Sequence, residues 1–593
     1  MSSYNPNIIQ IKSSQLTQSD LILDYLEIIG VQYVFGVPGG AIEPLYNALA
    51  RREAAGRFPR SVVARHESGA AFMADGYARA TGKLGVCCAT TGPGATNLIT
   101  GVASAFADRI PLLVITPQTA LPTFGKKGLQ ESSCDEVDTT AMLGHCTVYN
   151  TFVSHVEQLE RKLYHAIISA SQPRRGPAHL SIPMDILALP IKDSKKPRKI
   201  TEIKGISKVV DNEAIDELCG KMLNANKAVI FIGSGADYAA KEIIEFAEII
   251  LADIVTAPAA KGLISNEHHL NKGVFGFAGH KKARETLTDS EISIILAIGT
   301  EFDELSTAGW DKGALLNTRL VHIDDNIENF TYSSFANLHI HGNIKMVFNT
   351  LIQRAKKAIE EGRRCPILEF NNSSKKTIPA NITNLLNNQE IQSYNNKSIP
   401  IKPQRMMHCL NELMPLNTHF VIDAGNVWAW ATHYLNIQRS HQYHIGMGFG
   451  SMAWGIGAAT GMAIALKGTP VCCLTGDGSY LMSSHEITVA VQQKATLIII
   501  LINDACLGMV KHGQALGGGE EIGYKLPQIN YAEIAKQLGA KGFTIRTGDE
   551  FQSLDMDEIC QHKGPTLINV YIDPNEVPPM GSRMKVLTKE EGH

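Results

Sequence analysis

VCCLTGDGSYLMSSHEITVAVQQKATLIIILINDACLGMV, residues 471–510, holds two apolar runs with a helical pattern between them. The first run, Val471–Thr475, stops at Gly476-Asp477-Gly478-Ser479, and the second, Leu497–Ile502, stops at Asn503-Asp504. Ser483 followed by Glu486 is a capping-box pattern, which predicts a helix from Ser483 to Gln493. Strand, helix and strand in that order return the second oxygen-rich terminus to the edge of the sheet where the first one ended. Flanking glycines let the backbone turn tightly and approach a phosphate, while Asp477 offers a hard oxygen to a cation such as Mg²⁺. A helix start beside it favours a diphosphate. Taken alone, each tripeptide or dipeptide is an ordinary turn.

Outward from this stretch the same rhythm continues. Short β-rich runs recur at Leu84–Ala89, Leu112–Thr116, Ala228–Gly233, Ile292–Ile298, Leu320–Ile323, Phe420–Asp423, Thr469–Thr475, Leu497–Asn503 and Pro565–Ile572, with helical patterns between them. That alternation predicts an α/β protein with three parallel-sheet, doubly wound domains. Two segments break it. Lys192–Lys208 is rich in lysine, and Phe370–Ile401 is rich in Asn, Ser and Lys; both read as linkers. The expected domains are therefore 15–190, 205–360 and 402–575. The first and third share a strand–helix grammar, although one sequence cannot demonstrate a duplication.

The chain has 593 residues, more than one hydrophobic core can serve. With 44% hydrophobic and 19% charged residues it has the balance of a globular protein. A net charge of −3 leaves no basic field for nucleic acid or for a membrane surface. The longest apolar run, Leu497–Ile502, is far short of the ~20 residues that span a bilayer. Met1–Lys12 lacks a signal or transit pattern, so a cytoplasmic address is expected. Eleven scattered cysteines without a CxxC pair argue against disulfides and structural zinc.

Near the N-terminus, Gly36-Val37-Pro38-Gly39-Gly40 precedes Arg65-His66-Glu67, then Ala74-Asp75-Gly76-Tyr77-Ala78-Arg79, then Thr91-Gly92-Pro93-Gly94-Ala95-Thr96-Asn97. Together with the Gly-Asp-Gly stretch far downstream, this resembles the thiamine diphosphate enzymes. Leu507-Gly508-Met509-Val510 is similar to the acetolactate synthase version of their signature. The resemblance implies that Glu67 hydrogen-bonds the aminopyrimidine N1′ of the cofactor and promotes the tautomer that deprotonates C2. It places Gly39, Gly40, Pro93 and Asn97 near the pyrimidine. It gives Gly425, Asn426, Gly476, Asp477, Gly478, Ser479, Leu507, Gly508 and Met509 to the diphosphate side. Asp477, Asp504 and the Cys506 carbonyl become the ligands of Mg²⁺. Within Gly448-Phe449-Gly450-Ser451-Met452, Met452 is the apolar support beneath the bent cofactor and Gly450 a backbone contact. Gln130 lies near the reacting carbons, within the pattern of Gln118, Gly125 and Glu131.

Several positions depart from the family pattern. Asp504 stands where an Asn is usual, which makes the metal site more negative. Leu129 replaces a Phe, Gly513 replaces a Trp, and Leu305 of Phe302-Asp303-Glu304-Leu305 replaces an Arg, so the acceptor pocket is expected to be larger and less cationic. In the middle domain, where anabolic relatives carry FAD, Gly233-Ser234-Gly235-Ala236 lacks a third glycine and is a weak nucleotide motif. Asp324-Asp325 could meet a ribose. The altered segment Gly276-Phe277-Ala278-Gly279-His280 and the missing Arg leave FAD open.

The resemblance therefore implies a carboligase. It would add the cofactor's C2 to a 2-oxo acid such as pyruvate, release CO2, and join the two-carbon unit to a second carbonyl compound. A cofactor held between domains of two subunits implies a homodimer or homotetramer; a regulatory subunit is left open. The rival readings are a 2-oxo-acid decarboxylase, an acetyl transfer to phosphate like that of the sulfoacetaldehyde enzymes, and a non-catalytic binding homologue. Retention of Glu67, Asp477 and Met452 speaks against the last.

Overall fold

The computed structural model describes residues 15–171, 175–191, 210–362 and 381–581. The expected linker Lys192–Lys208 lies outside them, as does the first part of Phe370–Ile401. Two compact units result, Met1–Lys204 and Gly205–His593.

The strands are mostly unbroken apolar runs with both faces covered, as in parallel sheets flanked by helices. The first unit holds β1 (Tyr33–Gly36), β2 (Arg60–Val63), β3 (Gly85–Cys88), β4 (Leu112–Gln118), β5 (Tyr149–Phe152) and β6 (Pro177–Pro183). They form one sheet in the order β2-β1-β3-β4-β6-β5, every pair parallel. Its core gathers Leu21, Ile22, Leu45, Val86, Leu113, Ile115 and Leu180.

The second unit holds two sheets. The central one contains β7 (Lys227–Ile232), β8 (Asp253–Thr256), β9 (Asn271–Val274), β10 (Ile292–Ile298), β11 (Leu320–Asp324) and β12 (Leu338–His341), ordered β12-β11-β10-β7-β8-β9. The C-terminal one contains β13 (His419–Ile422), β14 (Tyr443–Ile445), β15 (Val471–Gly476), β16 (Leu497–Asn503), β17 (Lys541–Ile545) and β18 (Pro565–Tyr571), ordered β14-β13-β15-β16-β18-β17. The first and third sheets thus repeat one plan strand for strand, whereas the central sheet has another. Among the described residues, no helix is long and apolar enough to cross a membrane.

Two local expectations change. The helix expected to start at Ser483 begins at Asp477, with Gly476 as its N-cap; it runs to Ser483 and continues through a 3-10 turn, Ser484–Glu486, into a helix Ile487–Gln493. Ser483 is already inside helical chain, so its hydroxyl makes no cap bond. The Asn-rich stretch is also more than a linker after 380. It forms a short helix, Asn388–Tyr394, and buries Leu386, Tyr394 and Ile401 in the core of the C-terminal sheet.

Candidate functional site

In a doubly wound sheet a ligand crevice opens where consecutive connections leave in opposite directions, outside the carboxyl ends of the strands. In the C-terminal sheet that point lies between β13 and β15, since β14 lies beyond β13 and β16 beyond β15. Three loops meet there. β13 runs into Asp423-Ala424-Gly425 and the helix Asn426–Tyr434; Gly425 has φ 121°, a conformation that glycine alone adopts without strain. β15 runs straight into the helix that Asp477 opens, and β16 into Asp504, Ala505, Cys506, Leu507 and the helix Gly508–Leu516.

Their side chains converge. Asp477 is buried; one carboxylate oxygen accepts from Gly478 N at 2.8 Å, and the other has no hydrogen-bond partner. Asn426 likewise has a buried side-chain oxygen without a partner. A Cβ on Gly508 would sit 2.4 Å from Asn426 Nδ2 and 2.8 Å from Asp504 Oδ2, so these three residues share one spot that only glycine leaves open. A Cβ on Gly478 would lie 2.5 Å from Leu507 Cδ2 and 3.3 Å from Met452 Cε, which puts Met452 on the same wall. Gly450 (φ 71°) rests against the indole of Trp428. Asp423 is consumed in fixing the loops, accepting from Ala424 N, Gly455 N and the Thr475 hydroxyl. The Ser479 hydroxyl accepts from Ala453 N and reaches Ala424 O, so it braces the same loops.

Charge in this crevice is poorly solvated. Burial, then the neighbouring Asp504 carboxylate, pushes the Asp477 carboxyl up to about 7. Burial raises Asp504 as well. Burial and Asp504 push the Cys506 thiol up to about 12, so it stays protonated near neutrality. Two neighbouring buried carboxylates, one with an oxygen that has no hydrogen-bond partner, are the arrangement that a divalent cation relieves.

The first unit builds a second constellation at its own switch point, between β1 and β3. Glu67 is the first residue of the helix Glu67–Thr81, whose N-cap is His66, with the ring accepting from Ser68 N at 3.2 Å. Glu67 is buried, and its Oε2 accepts from Asn97 Nδ2 at 3.0 Å. Gly94 stands against Glu67 Oε1 and Thr90, and Gly39 against Thr90. Nothing crowds Gly40. Pro93 opens the five-residue helix that ends at Asn97. Gln130, at φ 60°, packs its Cβ over Gly92, and its carbonyl accepts from the Thr91 hydroxyl at 3.0 Å. Glu131 serves the loop itself: Gly125 N, Gly128 N and the Ser133 hydroxyl donate to it, the bond from Gly125 chief among those holding its carboxyl below the usual range. Gln118 donates to Ser132 O.

Three stretches match family models in chain order. Residues 16–142 match the thiamine pyrophosphate enzyme N-terminal TPP binding domain, 215–351 the central domain, and 423–570 the C-terminal TPP binding domain. The probable acetolactate synthase large subunit of Methanocaldococcus jannaschii is 30% identical over 577 residues, covering 95% of this chain and 93% of its own. The chain belongs to the thiamine pyrophosphate enzymes. The large subunit of acetolactate synthase isozyme 1 from Escherichia coli is 28% identical over 564 residues, with 95% of each chain covered. This member of the family is an acetolactate synthase-like, thiamine diphosphate-dependent carboligase. Two residues packed against these glycines have no mark in the sequence: Thr90 in the first unit, between Gly39 and Gly94, and Trp428 in the second, beneath Gly450. Each is an ordinary core residue type whose role depends on which loop folds over it.

Proposed function

We propose that the crevice between β13 and β15 holds the diphosphate of the cofactor through Mg²⁺, and that Glu67 with Asn97 receives the aminopyrimidine. The observation that carries this is the buried Asp477 oxygen without a partner, beside Asp504 and Asn426. Among the described residues no three His, Cys, Asp or Glu side chains gather round one point. A cation held by Asp477 and Asp504 would need further oxygen ligands, which the Cys506 carbonyl and a diphosphate would supply. Bound thiamine diphosphate supplies an acidic carbon and an electron sink for a 2-oxo acid such as pyruvate. The protein's part is to hold and orient. Asn97 fixes the Glu67 carboxyl so that it shares a proton with a ring nitrogen. Met452 offers an apolar surface and helps to exclude water, and Gln130 stands over Gly92 to meet the reacting carbons. Together these support decarboxylation followed by ligation to a second carbonyl compound.

FAD is tested by the residues of the central sheet, whose switch point lies between β7 and β10. There Gly235 N donates to Gly299 O at 3.0 Å, closing one loop on the other. The loops 233–239, 299–310 and 325–337 contain Asp237, Glu301, Asp303, Glu304, Asp325 and Glu328 but no Lys or Arg. Asp324 is taken up by Asn326 N and Asn329 Nδ2, and Asp325 accepts from the Tyr238 hydroxyl. A ribose would have to displace those bonds, and these three loops offer a diphosphate no cation. These residues do not fit FAD. The relatives' names, "large subunit", support an assembly with a second kind of chain.

The deciding experiment incubates the protein with pyruvate, Mg²⁺ and thiamine diphosphate, with and without 2-oxobutyrate or phosphate, and identifies the products. Acetolactate or its homologue is expected. Acetaldehyde alone, or acetyl phosphate formed only with phosphate, would replace ligation by one of the rival chemistries.

A further inference from the structure

An α-helix leaves its last four carbonyls without partners inside the helix. In the helix Asn426–Tyr434, Leu435 N closes on Ala431 O at 3.2 Å, and side chains take up the carbonyls of Thr432, His433 and Tyr434 and share that of Ala431. Lys261 Nζ donates to Ala431 O and Thr432 O, each at 2.7 Å. His280 accepts from Val274 N through Nδ1 at 3.0 Å, which leaves its proton on Nε2, and Nε2 donates to His433 O at 3.0 Å. Asn411 Nδ2 donates to Tyr434 O at 2.9 Å. Two of these three donors come from the central domain: Lys261 from the 3-10 helix Pro258–Leu263 after β8, and His280 from the turn after β9.

Lys261 is an unusual residue to spend on a helix end. It is 1% exposed, and its Nζ lies 5.5 Å from the centre of the Tyr443 ring. Burial lowers its pKa well below that of a free lysine, yet the amine and the ammonium alike have the two N–H groups that the carbonyls take. Its backbone is clamped as well, since His441 N donates to Gly262 O at 2.7 Å and a Cβ on Gly262 would strike Tyr443. The other end of this helix is Gly425-Asn426, in the crevice.

The geometry points to Lys261 and His280 as positioning residues through which the central domain aims Asn426 at the diphosphate. The inference rests on the proposed role of Asn426. A nine-residue helix is about 13 Å long, so a tilt of about 5° at its C-terminal end moves the other end by about 1 Å. Asn426 is assigned to the diphosphate and not to the reacting carbons, so misplacement on that scale falls on cofactor affinity, by about an order of magnitude. The central domain thereby acts on the site without touching substrate, and it needs no nucleotide of its own to do so.

The test compares Lys261→Met with Lys261→Arg in the full-length protein, measuring thiamine diphosphate affinity in Mg²⁺ by calorimetry together with kcat at saturating cofactor and KM for pyruvate. Lys261→Met should weaken the cofactor about tenfold, leave kcat at saturation and KM for pyruvate within about twofold, and be partly rescued by the arginine, which keeps donors in reach. A folded Lys261→Met protein with unchanged cofactor affinity overturns the inference. So does a fall in every parameter in proportion to the unfolded fraction, which marks a purely structural role. Should neither variant fold, hydrogen exchange on the wild-type protein decides, because coupling is reciprocal. Cofactor with Mg²⁺ must then slow exchange over 257–264 and 274–283; protection confined to residues beyond 400 overturns it. Asn426→Ala separates the two readings: if it binds the cofactor like wild type, the proposed site has failed rather than the coupling.

Discussion

At the scale of single residues, the roles proposed for Glu67, Asp477 and Asp504 each make a distinct prediction. Glu67→Gln keeps the hydrogen bond to Asn97 but cannot share a proton. Hydrogen–deuterium exchange at the cofactor C2 should slow by about 10²-fold or more while cofactor affinity changes little; exchange as fast as in wild type would remove Glu67 from that role. Asp477→Ala removes the carboxylate with the partnerless oxygen, and calorimetry should find no Mg²⁺-dependent cofactor binding. Asp504 departs from the family pattern but occupies the expected place beside Gly508, so Asp504→Asn should still bind the cofactor, and a fall to the level of Asp477→Ala would show that the second charge is indispensable. His179 gives a pH prediction. Asn150 Nδ2 donates to Thr140 O, so its Oδ1 accepts from His179 Nδ1, and His179 Nε2 accepts from the Thr116 hydroxyl; the ring is a buried neutral tautomer, its pKa lowered by burial to about 3. The unfolded chain binds this proton near pH 6.5, the folded one only near 3. Stability from this group is therefore complete above about pH 6.5 and lost as the pH falls toward 3. Urea midpoints between pH 7 and 4.5 should fall less steeply in His179→Gln than in wild type.

At the scale of elements, legibility followed the length of the apolar run rather than burial: β6, Pro177–Pro183, is buried throughout but its Pro, His and Ser hide it. The long strands β4, β7, β10, β15, β16 and β18 are predominantly apolar, and the sequence marks them within about two residues at either end. β1, β2, β5, β6, β8, β9, β12, β14 and β17 are not marked: six of these nine are sheet-edge strands, and runs such as Tyr443–Ile445 and Lys541–Ile545 look like loop until a neighbour pairs with them. In the candidate site, the positions the sequence marks are those where backbone geometry demands one residue type, as at Gly425 and Gly508, which the structure brings to one crevice with Asp477. The site was illegible where a side chain acts through distant packing, as Lys261 does. The helix Gly508–Leu516 carries the acceptor prediction. A Cβ on Gly513 would meet nothing within 4 Å, so a side chain fits there without strain. Gly513→Ala should raise thermal stability by about 0.5–1 kcal/mol through helix propensity alone. Gly513→Trp would restore an apolar wall, and in a competition between acceptors it should raise the preference for 2-oxobutyrate over pyruvate, a difference of one methylene worth about 1–3 kcal/mol at most. An unchanged product ratio would show that Gly513 does not set acceptor choice.

Across the whole molecule, two compact units predict two calorimetric transitions rather than one. Mg²⁺ with thiamine diphosphate at about 100 times its dissociation constant should stabilise the unit holding the diphosphate by about 2.7 kcal/mol. Chelation with EDTA or the Asp477→Ala change should abolish that shift; a shift that survives both would mean that the cofactor binds without the metal site. The repeated sheet plan has another consequence, felt before any ligand is present. β4 and β16 occupy the same slot in two sheets of identical order, as do β3 and β15, so strands of one could dock in the place of the other while both are unfolded. Translation separates them in time. The first sheet is complete at Pro183 and the third does not begin until His419. At about 5–20 residues per second the ribosome leaves the first sheet on the order of ten seconds or more to close alone. The central sheet, with its different strand order, is made in that interval, and refolding the full chain from denaturant, where all three compete at once, is where strand exchange between the like sheets would surface.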